Sequence, residues 1–199
     1  KEYIVAEDKQ AIGFGEAFVD NGTRADYSTT EKISEFKVYG TLTGYNDNIV
    51  QIFNGALVER PTSLASGGYD SDVAWTCTET QYLVPSASYK FAAIVDGVAT
   101  ATTGLPATIP FAVADGAGNK DLLYATAKVT TPDMATLQNK GMETVKFQVK
   151  HLLSKVKFTF TNGFANDNAY IDVKNVRMTA PETATATLAA ENSWAKHAG

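Results

Sequence analysis

The fold of this chain is decided by residues 145–160, VKFQVKHLLSKVKFTF. In residues 145–150, apolar and polar side chains alternate, which is typical of a strand with one buried and one exposed face. Residues 156–160 alternate again, but the apolar positions are odd before His151 and even after Ser154. This slip would turn the buried face of a single strand to water. Either a β-bulge absorbs the extra residue or the chain passes into another sheet here, and we favour the second interpretation.

The composition is that of an acidic globular protein rich in β-structure. The 199 residues are 44% hydrophobic and 20% charged, which is ordinary for a globular protein. The net charge of -5 argues against nucleic acid as a partner, because a surface that binds phosphates must be basic. No apolar run is long enough to predict a transmembrane helix. The first ten residues contain no export signal, so any signal has been removed or was never present.

We expect an all-β fold in two parts. Many short alternating segments separated by turns indicate a β-sandwich or a barrel. Residues 1–143 contain about seven such segments, which suffice for one sandwich domain. Residues 144–199 contain only about three or four, which are too few to close a second sandwich without leaving unpaired edges. We therefore predict the start of a C-terminal β-sandwich domain that is incomplete.

Two local signals are clear in the middle of the chain. Residues 48–60 contain two apolar segments on either side of Asn54 and Gly55, the pair that is favoured where a tight turn needs positive φ angles. We therefore predict a β-hairpin with its turn at this pair. The only candidate for helical structure is a short turn at residues 132–139.

Three further features concern the strands near residue 110 and after residue 168. Pro110 cannot donate a hydrogen bond to a neighbouring strand, so it predicts that residues 108–113 form an edge strand. Residues 169–178 alternate with a second slip at Asn175, which predicts a strand with a bulge. Residues 183–189 have the pattern of a weak final strand.

The residues that could carry catalysis do not form a plausible active site. Ser154 and Lys157 match the S-x-x-K spacing of acyl-enzyme hydrolases, but residues three apart on a strand point to opposite sides. His151 and His197 lack a second histidine at metal-binding spacing, and we expect His151 to be a hydrogen-bonded structural residue. Cys77 has no basic neighbour that would lower its pKa, so we expect a small buried side chain. We predict no catalytic residue, no cofactor and no metal.

Two other patterns have simpler structural explanations. Residues 115–121, DGAGNKD, resemble part of a calcium loop but lack the glycine and the glutamate of an EF-hand, so we favour a turn without metal. Five aromatic side chains are candidates for stacking on sugars, although aromatic residues of β-proteins more often lie in the core or in cross-strand pairs. These residues are Tyr39, Tyr45, Tyr69, Trp75 and Trp194.

Motifs spread over nearly the whole chain resemble those of a known family. The motifs occur in this order: IGFGEAFVDNGTRADY (residues 12–27), FKVYG (36–40), GNKDLLYATA (118–127), VKFQVKHLLSKVKFTF (145–160) and VKNVRMTA (173–180). Each motif alone is loose, but their order and spacing are similar to those of the fimbrillin-like proteins of the Bacteroidales. These proteins are the subunits and anchors of type V pili.

The resemblance implies a fold, a location and a role. The fold is a pair of transthyretin-like Greek-key β-sandwich domains, and the location is the cell surface at the outer membrane after export as a lipoprotein. The role is that of a non-enzymatic structural or accessory subunit of a fimbria that acts in cell adhesion. Its partners are other fimbrial subunits joined by donor-strand addition, together with a host or bacterial surface ligand. The alternative is a surface module that binds a glycan or a host protein through residues 63–80.

The resemblance also implies a cleavage site. In pilus-forming members, a protease cuts after an arginine that follows the first strand, and an extended segment of the next subunit replaces that strand. By resemblance, Arg24 and Ala25 form the candidate scissile bond, and the strand that contains Ile12, Phe14 and Phe18 is the segment to be released. A missing strand exposes backbone groups and an apolar slot that only an added strand satisfies. The alternative for Arg24 is a solvated loop residue.

Overall fold

The computed structural model describes residues 9–19, 33–44, 47–61, 74–99, 103–112, 121–153, 156, 158–163, 171–179, 183–188 and 194–195. These residues form ten strands and one short helix: β1 (Phe14–Val19), β2 (Glu35–Thr43), β3 (Ile49–Glu59), β4 (Thr76–Cys77), β5 (Ser88–Val95), β6 (Thr108–Ala112), β7 (Leu123–Thr130), α1 (Met134–Lys140), β8 (Val145–His151), β9 (Thr183–Leu188) and β10 (Trp194–Ala195). The predicted all-β class is confirmed.

The strands form two sheets. Seven strands form one mixed sheet in the order β1-β8-β7-β5-β2-β3-β4, and the other three form a second sheet in the order β10-β9-β6. The pairs are antiparallel except for β1, which runs parallel to β8. This arrangement is consistent with a β-sandwich. The transthyretin-like Greek-key topology stays a prediction.

The first segment of the chain closes the large sheet on itself. On one side, Phe14 of β1 pairs with Val145 of β8. On the other side, the backbone N–H of Trp75, next to β4, donates to the carbonyl of Phe14 at 2.8 Å. Slightly earlier in the chain, the N–H of Ile12 donates to the carbonyl of Gln81 at 2.8 Å. The two ends of the sheet therefore meet at the first strand.

The large sheet has apolar residues on both of its faces. Along β5, Phe91 and Ala93 belong to the interior cluster, whereas Ala92 and Ile94 belong to an outer cluster that includes residues of the second sheet. Because a central strand that is covered on both faces needs apolar side chains at every position, β5 contains a continuous apolar run at residues 91–95.

The predicted hairpin at Asn54 and Gly55 is wrong, because β3 runs through both residues as one strand. β3 pairs with β2, and Val38 faces Ala56 while Tyr39 faces Asn54, so Gly55 is the extra residue of a β-bulge. Gly55 has a φ of 84°, which is the positive value that the Asn-Gly pair favours. The pair thus supplies the expected backbone conformation, but within a strand instead of between two strands.

Three other local predictions are confirmed. The helical turn expected at residues 132–139 is α1, which begins after Asp133 as its N-cap. Pro110 lies in β6, which is at the edge of the second sheet as described. The final strand expected at residues 183–189 is β9, which pairs with β6.

The chain leaves the large sheet where the alternation of residues 145–160 slips. β8 ends at His151, and no strand is assigned to the described residues of 156–163 and 171–179. The strands predicted at residues 156–160 and 169–178 are therefore not formed in the described segments. A strand with one apolar face is stable only when another layer covers that face. Asn175 has a φ of 58°, but a bulge needs a neighbouring strand.

Two strands within residues 144–199 pair with earlier strands. β8 lies between β1 and β7, and β9 pairs with β6. The division into a domain of residues 1–143 and an incomplete domain of residues 144–199 stays a prediction.

Candidate functional site: the slot of the first strand

The first strand lies between two neighbours and is hydrogen-bonded to both. The N–H of Val145 donates to the carbonyl of Gly13 at 2.8 Å on the β8 side. On the other side, the N–H of Leu83 donates to the carbonyl of Gln10 at 2.9 Å. We use the term first strand for residues 10–19, which comprise β1 and the residues just before it. We call the space that residues 10–14 occupy, between β8 and residues 75–83, the first-strand slot. Its backbone partners lie on both walls.

Phe14 anchors the first strand in the interior. Its side chain is fully buried, at 0% exposure, and four other phenylalanine rings surround it. The distances from the centroid of Phe14 are 5.3 Å to Phe53, 5.7 Å to Phe91, 6.2 Å to Phe147 and 6.4 Å to Phe36. Three of these contacts are edge-to-face, which is a favourable geometry for aromatic pairs. The rings come from β2, β3, β5 and β8, so Phe14 joins four strands.

The alternation in the sequence does not identify these four phenylalanines as a group. Each lies at a buried position of its strand, and each belongs to a segment of alternating or continuous apolar residues. The signal that would have found them is the recurrence of one phenylalanine on the buried face of each of β2, β3, β5 and β8. Sequence alone does not say which faces meet, because that depends on the register of non-local pairs.

The opposite side of the first strand leaves little room for side chains. A Cβ atom on Gly15 would lie 2.7 Å from Oγ1 of Thr144, and one on Gly13 would lie 3.2 Å from Cγ2 of Thr144. The first distance is shorter than non-bonded carbon–oxygen contacts permit. In the alternation I-G-F-G at residues 12–15, the large side chains therefore point inward, and glycine occupies the positions on the opposite side. At both glycines, the closest neighbouring atom belongs to the side chain of Thr144.

The other residues of the candidate site are less completely placed. The backbone of Phe18 pairs with Gln148, and the register shifts between Phe14 and Ala17, so the alternation is not continuous along β1. The side chain of Phe18 lies outside the described part of the structure. Arg24 and Ala25 also lie outside the described residues, as do Ser154 and Lys157.

His151 is paired on one of its two ring nitrogens. Its Nδ1 lies 2.5 Å from Oδ2 of Asp121, and its side chain is 7% exposed. Its Nε2 is buried and has no hydrogen-bond partner. The hydrogen bonding that we expected for His151 is therefore found at Nδ1 and not at Nε2. In the part of the chain that the structure describes, no group of three His, Cys, Asp or Glu residues is placed to hold a metal ion.

The residues considered for redox chemistry and for sugar stacking are mostly buried. Cys77 is half-buried, and this burial raises the pKa of its thiol. Tyr39 and Trp75 are buried, so the suggestion that they stack on sugars is wrong. The hydroxyl of Tyr39 instead donates to the carbonyl of Ala99 and accepts from its N–H, at 3.2 and 3.1 Å. Tyr45, Tyr69 and the side chain of Trp194 lie outside the described residues.

These observations define an all-β protein with a sandwich-like arrangement of two sheets and a buried first strand. Residues 23–199 match the family model described as fimbrillin-like, and the chain belongs to this family. No curated protein and no solved structure is found to match the chain. The family match begins after β1, so the strand in the first-strand slot precedes the matched range.

Membership of this family sets the general role of the protein. Fimbrillin-like proteins are structural components of pili, and the family supports the role of a fimbrial subunit that is found at the cell surface and associates with other fimbrial subunits. Among the described residues, no helix has the length and the apolar character needed to span a bilayer.

Proposed function

We propose that this protein is a subunit of a surface fimbria that assembles by strand exchange at the first-strand slot. In this proposal, cleavage between Arg24 and Ala25 releases the first strand, and an extended segment of a neighbouring subunit takes its place. The observation that carries the proposal is the position of Phe14, which is fully buried on a strand that is hydrogen-bonded on both sides.

Removal of the first strand would leave a site that strongly favours an incoming strand. The hole left by Phe14 would expose the edges and faces of four phenylalanine rings, and truncating a buried phenylalanine alone typically costs about 3–5 kcal/mol. The N–H groups of Val145, Trp75 and Leu83 would lose their acceptors, and each buried unpaired group costs about 1–3 kcal/mol. An added strand restores both sets of interactions.

The walls of the slot restrict the chemistry of the incoming strand. It needs a large apolar residue at the position of Phe14, because the four surrounding rings leave a hole of that size. It needs glycine at the position of Gly15, because Thr144 Oγ1 lies where a side chain would begin. A segment with a large apolar residue between two glycines meets both requirements.

The proposal includes the finer features that the family suggests. The protein is exported as a lipoprotein, stands at the outer membrane and acts in adhesion as part of a fimbria. Family membership supports this role.

Limited digestion with an arginine-specific protease tests the proposal. We expect cleavage at Arg24, detected by N-terminal sequencing, followed by oligomers that resist detergent and dissociate on heating. The Arg24→Gln variant is the control and should stay monomeric after the same treatment. A peptide of residues 9–24, added in excess, should slow the assembly because it refills the slot. Clean cleavage at Arg24 that leaves the protein monomeric when no peptide is added would contradict strand exchange.

A further inference from the structure

A cavity of about 450 Å³ lies beside the first-strand slot. Its walls come from residues 9–10, from residues 82–85 and from α1, with Met134, Leu137 and Gln138 of the helix facing it. We propose that this cavity binds a small anionic amphiphile, namely a monocarboxylate with an unbranched apolar chain. This inference does not depend on strand exchange.

The size and the lining of the cavity suit the apolar part of such a ligand. Small-molecule sites typically measure about 300–1,000 Å³ and are lined mainly by apolar side chains. Tyr82, Val84 and Met134 are 50%, 44% and 46% exposed, and all three line this one cavity. Single exposed apolar residues are ordinary, but a group that shares one concave surface marks a binding site. Leu83 and Leu137, which are buried, form its floor.

The charge of the lining selects an anion. Among the residues that the structure describes, Lys9 is the only charged one that lines the cavity, and the polar ones beside it are Gln10 and Gln138. The Nζ atom of Lys9 lies 6.0 Å from the centre of the Tyr82 ring, which keeps the ammonium group next to the apolar wall. The nearby carboxylate of Asp133 accepts hydrogen bonds from the N–H and the hydroxyl of Thr136, so it caps α1.

The backbone around the cavity favours a small ligand over an added peptide strand. The N–H of Leu83 donates to Gln10, and the N–H of Val84 donates to the hydroxyl of Tyr89 at 2.7 Å. The carbonyl of Val84 accepts from the hydroxyl of Thr131 at 2.6 Å. Because these backbone groups already have hydrogen-bond partners, an added strand could not pair with Leu83 and Val84. The side chains that line the cavity would therefore recognise the ligand.

Titration calorimetry of the Arg24→Gln protein with decanoate and with decan-1-ol tests this inference. The uncleavable chain keeps the first strand in place, so the result is independent of strand exchange. We expect decanoate to bind at one site, about two- to fivefold more tightly than the alcohol, because a solvent-exposed ion pair contributes at most about a fivefold gain. Lys9→Gln should remove this difference, while Lys90→Gln, an exposed lysine of β5, should not.

A second variant tests the apolar wall. Met134→Glu should weaken both ligands more than tenfold, because it places an unpaired charge against the apolar chain. Val98→Glu is the matched control, since Val98 is similarly exposed but does not line the cavity, and it should leave binding unchanged. The inference is overturned if decanoate does not bind, if the alcohol binds equally well, if Met134→Glu has no effect, or if the protein binds only phosphatidylglycerol vesicles and not free decanoate.

Discussion

The first strand and the segment after β8 have the same kind of sequence but opposite environments. Ile12 and Phe14 alternate with glycines, and Val156, Phe158 and Phe160 alternate with polar residues. Phe14 is 0% exposed within a closed sheet, whereas Phe158 is 53% exposed and belongs to no strand. Alternation thus marks a segment that is able to form a strand. A neighbouring layer determines whether the strand forms.

The difference lies in what each segment contacts. The first strand has hydrogen-bond partners on both sides and four aromatic rings against its anchor residue. The described residues of 156–163 and 171–179 are exposed, including Ile171 and Met178 at 51% and 57%. The energy of burial is proportional to the apolar area that is removed from water, so only the first segment gains it.

The largest expected effect comes from removing the anchor. Phe14→Ala should lower the free energy of unfolding by about 3–5 kcal/mol, because it leaves a cavity among four packed rings. Phe158→Ala, the matched change in the exposed segment, should alter it by less than about 0.5 kcal/mol. Urea unfolding followed by circular dichroism measures both. Equal losses in the two variants would mean that the two environments do not differ as described.

The second effect concerns the face of the first strand that is opposite to the anchor. Gly15→Ala places a Cβ atom 2.7 Å from Thr144 Oγ1 and should cost about 1–3 kcal/mol of overpacking strain. The Gly15→Ala and Thr144→Ala double variant should recover much of this loss, because the closest atom is then absent. Gly163→Ala is the control, since no atom lies within 4 Å of its Cβ position. Thermal unfolding of the original protein, the single variants Gly15→Ala and Thr144→Ala, and the double variant gives the coupling between residues 15 and 144.

The sequence predicted the strands better than it predicted their connections. Local alternation was enough to place β8 and the edge strand that contains Pro110, because both signals depend on near neighbours in the chain. It did not indicate that β1 runs parallel to β8 and meets Trp75, because these contacts join residues far apart in sequence. For the candidate site, sequence and resemblance identified the strand of Ile12 and Phe14 but not the rings around it.

Gly55 shows the same limit at the scale of one residue. The Asn-Gly pair correctly indicated a positive φ, but that conformation serves a tight turn and a bulge equally well. β2 and β3 pair on both sides of this residue, which requires a bulge. The pairing of β3 with β2 therefore selects the bulge over the turn.

A third prediction follows for this bulge. Gly55→Ala should destabilise the protein by about 1–2 kcal/mol, because a residue with a Cβ atom pays this cost at positive φ. The new Cβ atom would also lie 3.3 Å from the hydroxyl oxygen of Tyr39. Gly44→Ala is the control, because its Cβ position has no atom within 4 Å. If both variants are equally stable, Gly55 is not held in the bulge conformation.

The smallest expected effect is a dependence of stability on alkaline pH, in which tyrosines of both apolar clusters take part. Burial raises the pKa of Tyr124 from 10.0 to about 12, and burial also raises the pKa values of Tyr39 and Tyr89. The folded state therefore keeps these protons at a pH where the unfolded state has lost them. The stability that they contribute is fully present below pH 10 and decreases as the pH rises from 10 towards about 12.

The Tyr124→Phe variant isolates the contribution of one of these hydroxyl groups. Its free energy of unfolding should decrease less steeply over this pH range, because a phenyl ring has no proton to lose. Tyr39 and Tyr89 still ionise and account for the decrease that remains. Urea unfolding at several pH values measures the slope, and phenolate absorbance of the folded protein reports the titration itself. A slope identical to that of the original protein would mean that Tyr124 ionises equally easily in both states. The hydroxyl of Tyr124 would then be as accessible to solvent in the folded protein as in the unfolded chain.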